Sequence, residues 1–255
     1  MSWTITPQTK VPVDPFRSQV SLLLHGNQNA GQFIDSSPTP KSITKVGNVA
    51  PGSPGGGTPI YPSSNSAFGS AIAFDKVDDR LTLAASSDFA FGTGDFTVEF
   101  WAYSRDVSSA SQSGYMQISA TSGGLDTTYN DGLIITQGQS ITGGSITPQD
   151  GGIVAKMGGA LFVNSCGSSS SVLTVSTWQH IAFTRSSSTA RLFVNGVQVG
   201  ISTLASNLTG SHLVIGGYYS TAYLFDGYID DLRITKGVAR YTSNFSVPAA
   251  PFPDI

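Results

Sequence analysis

The chain reads as all-β: an antiparallel two-sheet β-sandwich of jelly-roll type, preceded by an extended N-terminal arm. Three observations predict this. Residues 178–185, W-Q-H-I-A-F-T-R, put Trp178, His180, Ala182 and Thr184 on one side and Gln179, Ile181, Phe183 and Arg185 on the other. That period of two is the strand signal. Asn195-Gly196 then sits between apolar alternating runs, and a type I′ hairpin turn needs positive φ at both central residues. Finally, no stretch sustains a helical period; at most Lys236–Tyr241 makes one turn, and short strands with Gly/Pro punctuation point to a sandwich.

Residues 178–200 therefore form a three-stranded meander, turned at Ser186-Ser187-Ser188 and again at Asn195-Gly196. Forcing a β-branched residue into that second turn, Gly196→Val, is expected to cost roughly 1–2 kcal/mol through φ alone.

Residues 1–19 hold Pro7, Pro12 and Pro15 and show no period, so they read as an extended arm. Gln19–His25 follows as a first strand, nearly continuously apolar, as expected when both faces are covered. Ile43–Val46 is a short strand. Between 47 and 66 the composition turns to Gly, Pro and Ser, which makes a long loop within one domain. Strands then fall at Ser70–Phe74, Asp79–Leu83 and Gly94–Tyr103. The Gly/Ser/Thr-rich middle, 104–171, carries short apolar runs at Tyr115–Ile118, Leu133–Ile135, Ile153–Ala155 and Leu161–Val163, read as short strands with long connections. His212–Ile215 and Tyr223–Ile234 complete a domain over 20–246, and 247–255 is a tail held extended by its prolines.

Composition excludes several functions. The chain has 255 residues, enough for a full core in one domain. Its 13 Lys+Arg are scattered, its formal net charge is −3, and no basic stripe could track a phosphate backbone, so nucleic acid is not an expected partner. No apolar run is long enough to span a bilayer, so membrane insertion is not expected. M-S-W-T-I-T-P-Q-T-K lacks a basic n-region and an apolar h-region, so classical secretion is not expected either. The lone Cys166 permits no internal disulfide and no cysteine metal cluster. The three histidines, His25, His180 and His212, have no zinc spacing, and no Gly-x-Ser-x-Gly elbow accompanies them. His180 reads as a hydrogen-bonded core residue. The glycines of 52–57 lack the Lys-Ser/Thr of a phosphate loop.

Seven stretches, in this order, resemble the LamG-like jelly roll of the concanavalin A-like lectin/glucanase superfamily. They are L-L-L-H-G (22–26), F-I-D-S-S-P (33–38), F-G-S-A-I-A-F-D (68–75), F-G-T-G-D-F-T-V-E-F-W (91–101), W-Q-H-I-A-F-T-R (178–185), L-F-V-N-G-V-Q-V-G (192–200) and G-Y-I-D-D-L-R-I-T-K-G-V-A-R-Y (227–241). The version most similar occurs in structural proteins of tailed-phage virions, where the ending K-G-V-A-R-Y-T-S-N-F recurs. That resemblance implies a non-enzymatic virion component, a capsid decoration or a tail or fibre module. Assembly would take place in the host cytoplasm. The arm 1–19 would dock on other virion subunits, and a homo-oligomer is expected. An alternative is an adhesin that binds host surface glycans.

The glucanases of this superfamily carry a Glu-x-Asp-x-(x)-Glu signature, and glycoside hydrolysis needs two carboxylates about the bond. Glu99 is the sole glutamate and has no acid two residues on, so it reads as a strand residue, exposed or paired with an arginine. The resemblance also implies a Ca²⁺ site, with Asp230 on the C-terminal strand and Asp35 as a second ligand, Asp231 being the alternate; hard Ca²⁺ takes six to eight oxygens. Against it, Asp35 could cap a turn and Asp230 pair with Arg233 or Lys236. Tyr218, Tyr219 and Tyr223 in G-G-Y-Y-S-T-A-Y could stack on a sugar, or pack locally or against another subunit.

Overall fold

The computed structural model describes residues 13–26, 28–29, 32–52, 71–120, 132–158, 164–218 and 220–254. Residues 1–12 of the arm, 53–66 of the long loop, the run Leu161–Val163 and Tyr219 lie outside the described residues. In chain order the strands are β1 (Val20–Leu24), β2 (Gln28–Asn29), β3 (Gln32–Phe33), β4 (Ile43–Val46), β5 (Ala50–Gly52) and β6 (Ala71–Asp75). Then come β7 (Arg80–Leu83), β8 (Phe96–Ser104), β9 (Gly114–Ser119), β10 (Leu133–Thr142), β11 (Ser145–Met157) and β12 (Asn164–Gly167). Last are β13 (Trp178–Ser186), β14 (Thr189–Val194), β15 (Val197–Thr203), β16 (His212–Ile215) and β17 (Asp226–Lys236). No α-helix occurs among the described residues.

Two large antiparallel sheets result, beside a two-stranded ribbon of β2 and β3. The first has the order β15-β14-β13-β8-β17-β6-β5, and β1 pairs with β17 beyond the end of β6. The second has the order β12-β11-β10-β9-β16-β7-β4. Alternation decides what lies between them. Phe96, Val98 and Phe100 of β8 and Ile181 and Phe183 of β13 point inward against Met116, Ile118, Leu133, Ile135, Ile153 and Leu213 of the second sheet. Each such side chain, once fully buried, contributes on the order of 2 kcal/mol. β1 is buried along its whole length because both of its faces are covered: Leu22 and Leu24 enter the main core, whereas Val20 and Leu23 pack with Phe252 from the tail.

The meander forms as its residue pattern requires. Asn195 and Gly196 have φ of 50° and 76°, the pair of positive values that a type I′ turn demands. A Cβ on Gly196 would also strike the carbonyl of Phe245, whose own amide donates to the Gly196 carbonyl at 3.0 Å. Gly196→Val should therefore exceed the cost of φ alone and lose about 3 kcal/mol by urea unfolding. A change below about 1 kcal/mol would contradict this turn and its contact with the C-terminal segment.

The middle of the chain departs from expectation. In place of short strands, β10 and β11 form one long hairpin, with a register shift between Gln137 and Gln139. Its polar composition hid it. Gln137 is buried and satisfied: Tyr115 Oη and Ser104 Oγ donate to its Oε1 at 2.7 and 2.8 Å, and its Nε2 donates to Ser113 Oγ at 2.8 Å. The last strand begins at Asp226, since Thr221–Tyr223 makes a 3₁₀ turn instead. Lys236–Tyr241 forms no helical turn; its groups bond to the first sheet.

Candidate functional site

The residues with chemistry gather on the outer face of the first sheet. Period two sends Thr97, Glu99, Trp101 and Tyr103 of β8 outward, opposite Thr184, Ala182, His180 and Trp178 of β13. On β17 a bulge between Asp230 and Arg233 sets two residues against one of β8. It brings Arg233 opposite Glu99 while keeping Leu232 in the core. Asp231, inside the bulge, takes a φ of 47°.

Most of this face is sealed. Residues 13–19 and the C-terminal segment from Gly237 lie over it. Glu99 is fully buried; Arg233 donates to its Oε1 from Nε and Nη2 at 3.0 and 2.7 Å, and Tyr241 Oη donates to Oε2 at 2.7 Å. Asp14 accepts from Arg233 at 3.1 Å and from Arg240 at 3.0 and 2.7 Å. The result is a buried quartet of two carboxylates and two guanidinium groups, without net charge. Burial alone would raise the Glu99 carboxyl, but Arg233, then His180 and Arg240, outweigh it and hold it down at about 2. The carboxyl is thus an ion-pair anchor and cannot give up a proton at neutral pH. The arginine partnership was legible in the sequence; the complete burial was not.

His180 is a core residue, but its ring is not hydrogen-bonded. Nε2 comes no nearer than 3.4 Å to Glu99, and neither ring nitrogen has a hydrogen-bond partner among the described residues. Trp101, Tyr241, Phe245 and Phe252 surround the ring at centroid distances of 5.3–6.5 Å. Burial pushes the Cys166 thiol up to about 12, which suits a small core residue and no nucleophile.

Asp35 and Asp230 do not fit the calcium site that the resemblance implies. The four lone-pair positions of the Asp35 carboxylate are filled by four donors. Leu23 N and Ser37 N donate to Oδ1 at 3.1 and 2.9 Å, and Ser37 Oγ and Lys41 N donate to Oδ2 at 2.9 and 2.8 Å. Asp35 thus caps its turn and ties it to β1. Asp230 pairs with neither Arg233 nor Lys236. It accepts from Asp231 N at 2.8 Å, and burial, then the Asp231 charge, raises its carboxyl well above the usual range. A separate acidic group, Asp75, Asp78 and Asp79, went unnoticed in the sequence because it spans a turn. There the Asn48 amide, in the orientation that satisfies it, donates to Asp79 and Asp75 at 3.0 and 3.3 Å and bridges the two carboxyl groups, while burial and then the Asp75 charge raise the Asp79 carboxyl above its ordinary value.

Of the tyrosines, Tyr218 is buried: it packs on Gly114, meets Tyr223 at 4.9 Å in a tilted ring contact and lies 5.1 Å from Lys156 Nζ. It supports the loop and offers no open ring face. Tyr223 is partly exposed.

The outer face also carries a pH-dependent clasp. His25 Nδ1 meets Asp231 at 2.5 Å and Nε2 meets Asp254 at 3.0 Å, while Phe252 N donates to Asp231 at 3.1 Å. Burial would lower the imidazole, but Asp231 and then Asp254 raise it to about 9. A raised folded value means that the stabilisation is fully present below the unfolded value of about 6.5 and is lost as pH rises through about 9. Stability should therefore fall by on the order of 3 kcal/mol between pH 6 and 10. His25→Gln should remove this slope in urea titrations at several pH values; an unchanged slope would contradict the clasp.

A model of the Laminin_G_3 family, described as concanavalin A-like lectin/glucanases superfamily, matches residues 75–240, more than half of the chain. The chain belongs to this superfamily. Among curated proteins, no sequence matches it. Solved structures similar to this lectin-like sandwich include the binding domain of Paraclostridial Mosquitocidal Protein 1, at 12% identity and TM-score 0.59 over 88% of this chain and 50% of that one. The botulinum neurotoxin serotype D binding domain is 13% identical, TM-score 0.59, over 89% and 50%. A botulinum neurotoxin type C structure, for which cell entry is described as dependent upon interaction with two ganglioside molecules, is 11% identical, TM-score 0.56, over 88% and 49%. The chain spans about half the length of these structures, and the likeness shows the fold.

Proposed function

We propose that this lectin-like sandwich is a non-enzymatic structural component of a phage virion, a decoration on the capsid or a module of a tail or fibre. The observation that carries the reading is the sealed quartet: the sole glutamate is spent on holding the terminal segments to the sheet. A superfamily that includes glucanases would need two carboxylates facing a substrate, and here Glu99 is held by Arg233 and shut away. Asp14, within the arm, is locked into the same quartet. The arm therefore meets the domain at a rigid point, from which residues 1–12 would reach neighbouring virion subunits by strand addition or by lying in a groove. Assembly would occur in the host cytoplasm, and a homo-oligomer would present several copies.

Removing residues 1–12 while keeping Asp14 should abolish incorporation into particles without changing the melting temperature. Normal incorporation would reject the docking role. Absence of the chain from purified particles would reject the virion reading altogether.

A second reading, glycan binding, is favoured by the partly exposed aromatic side chains on the outer face of the first sheet and agrees with the ganglioside interaction described for a structural neighbour. The two readings are compatible, since a displayed module can also hold sugar.

A further inference from the structure

Along β8 the outward residues pass from sealed to open: Thr97, Glu99 and Trp101 are buried beneath the terminal segments, whereas Tyr103 is partly exposed. Register places Trp178 of β13 and Tyr228 of β17 on either side of Tyr103. Both flanking rings are also partly exposed. Three aromatic residues thus share one register row across three adjacent strands, and their rings lean together. Tyr103 is 5.7 Å from Trp178 and 5.8 Å from Tyr228, and the outer two are 6.5 Å apart. The rings are mutually tilted by 51–74° and nearly equidistant, so they converge into a compact, partly exposed aromatic cluster. Beyond Tyr228 the row continues through the small side chains of Ala73 and Ala50, which leave that end low.

We propose that this aromatic cluster is a glycan subsite that takes an uncharged hexose unit, a placement that rests on the glycan-binding reading above. The aromatic row supplies the apolar surface on which the C–H face of a sugar ring settles. Polar groups stand at its rim. Arg105 lies 4.7 Å over the Tyr228 ring, is anchored by donating to Phe74 O at 3.2 Å, and pairs with Asp226 at 2.5 Å. Both members of that pair remain partly open to solvent, with side-chain exposures of 39% and 27%. Together they offer donors and acceptors to hydroxyl groups. The rim has no net charge, and this selects the ligand class. An anionic sugar would have to displace Asp226 from Arg105, and a cation would meet the guanidinium already seated on Tyr228.

The test uses the full chain and soluble probes: cellohexaose, maltohexaose and, as the anionic comparison, 3′-sialyllactose, followed by calorimetry and saturation-transfer NMR. At least one neutral hexasaccharide should bind saturably. Trp178→Ala should weaken it about tenfold or more, and Arg105→Ala about threefold or more, each at the level of a lost aromatic or arginine anchor. Tyr223→Ala should bind as the wild type does. Should Trp178→Ala unfold, Arg105→Ala decides, because its side chain lies outside the core. Wild-type affinity in the Trp178 and Arg105 variants would move the site elsewhere and leave the glycan reading standing. Binding confined to sialyllactose would overturn the uncharged class. No binding of any probe by the wild type would sink the subsite together with the glycan reading.

Discussion

Glu99→Ala should cost about 3–5 kcal/mol, because it leaves Arg233 buried beside a second arginine with only Asp14 to neutralise both. The loss comes from the orphaned charge more than from the bond itself. Replacing Glu99 and Arg233 together by Leu and Met should accordingly be milder than the single change, since removing both partners of a buried pair is often close to neutral. Urea unfolding of both variants checks this, and a single mutant losing less than about 1 kcal/mol would mean that the quartet is wetter than its burial implies.

Arg185→Met is the second large effect. Arg185 is completely buried and faces no carboxylate at bonding distance; its guanidinium caps backbone carbonyls instead. Nε donates to Gly94 O at 2.8 Å, Nη1 to Ser206 O at 2.9 Å and Nη2 to Gly92 O at 2.8 Å, with the group 5.0 Å over the Phe96 ring. This one fork ties the loop before β8 to the segment before β16. Methionine fills the volume but strands the carbonyls, at about 3 kcal/mol or more. Arg185→Lys should fail nearly as badly, because an ammonium cannot spread donors over that fan. Hydrogen exchange should show residues 90–95 losing protection first. Equal loss everywhere would mean that Arg185 acts only through packing.

The sandwich was legible because its central strands alternate without interruption, as in 178–185, and because Asn195-Gly196 tolerates the two positive φ values of a type I′ turn. The long β10–β11 hairpin was not, since its ladder runs through Gln137, Gln139 and Ser140, whose burial depends on side-chain partners elsewhere in the chain, as Ser104 and Tyr115 serve Gln137. The site was legible in part. That Glu99 lacks an acid partner on its strand is plain from the residues, and pairing with an arginine was expected. Burial under the tail depends on Phe245 and Phe252, which carry no periodic signal. Trp178 was placed on its strand face correctly, but its alignment with Tyr103 and Tyr228 depends on register between strands far apart in sequence. Asp35 had two readings, and the four donors around it favour the turn cap.

Because Glu99 is the sole glutamate, selective ¹³C labelling gives a single glutamate carboxyl resonance. Its chemical shift against pH, followed in the native protein, tests directly whether this carboxyl is an anchor or a catalyst. The resonance should keep the ionised shift from pH 8 down to about 3, consistent with a carboxyl held at about 2. A midpoint above about 5, as a proton donor to a glycosidic oxygen requires, would contradict a non-enzymatic module sealed by its own termini.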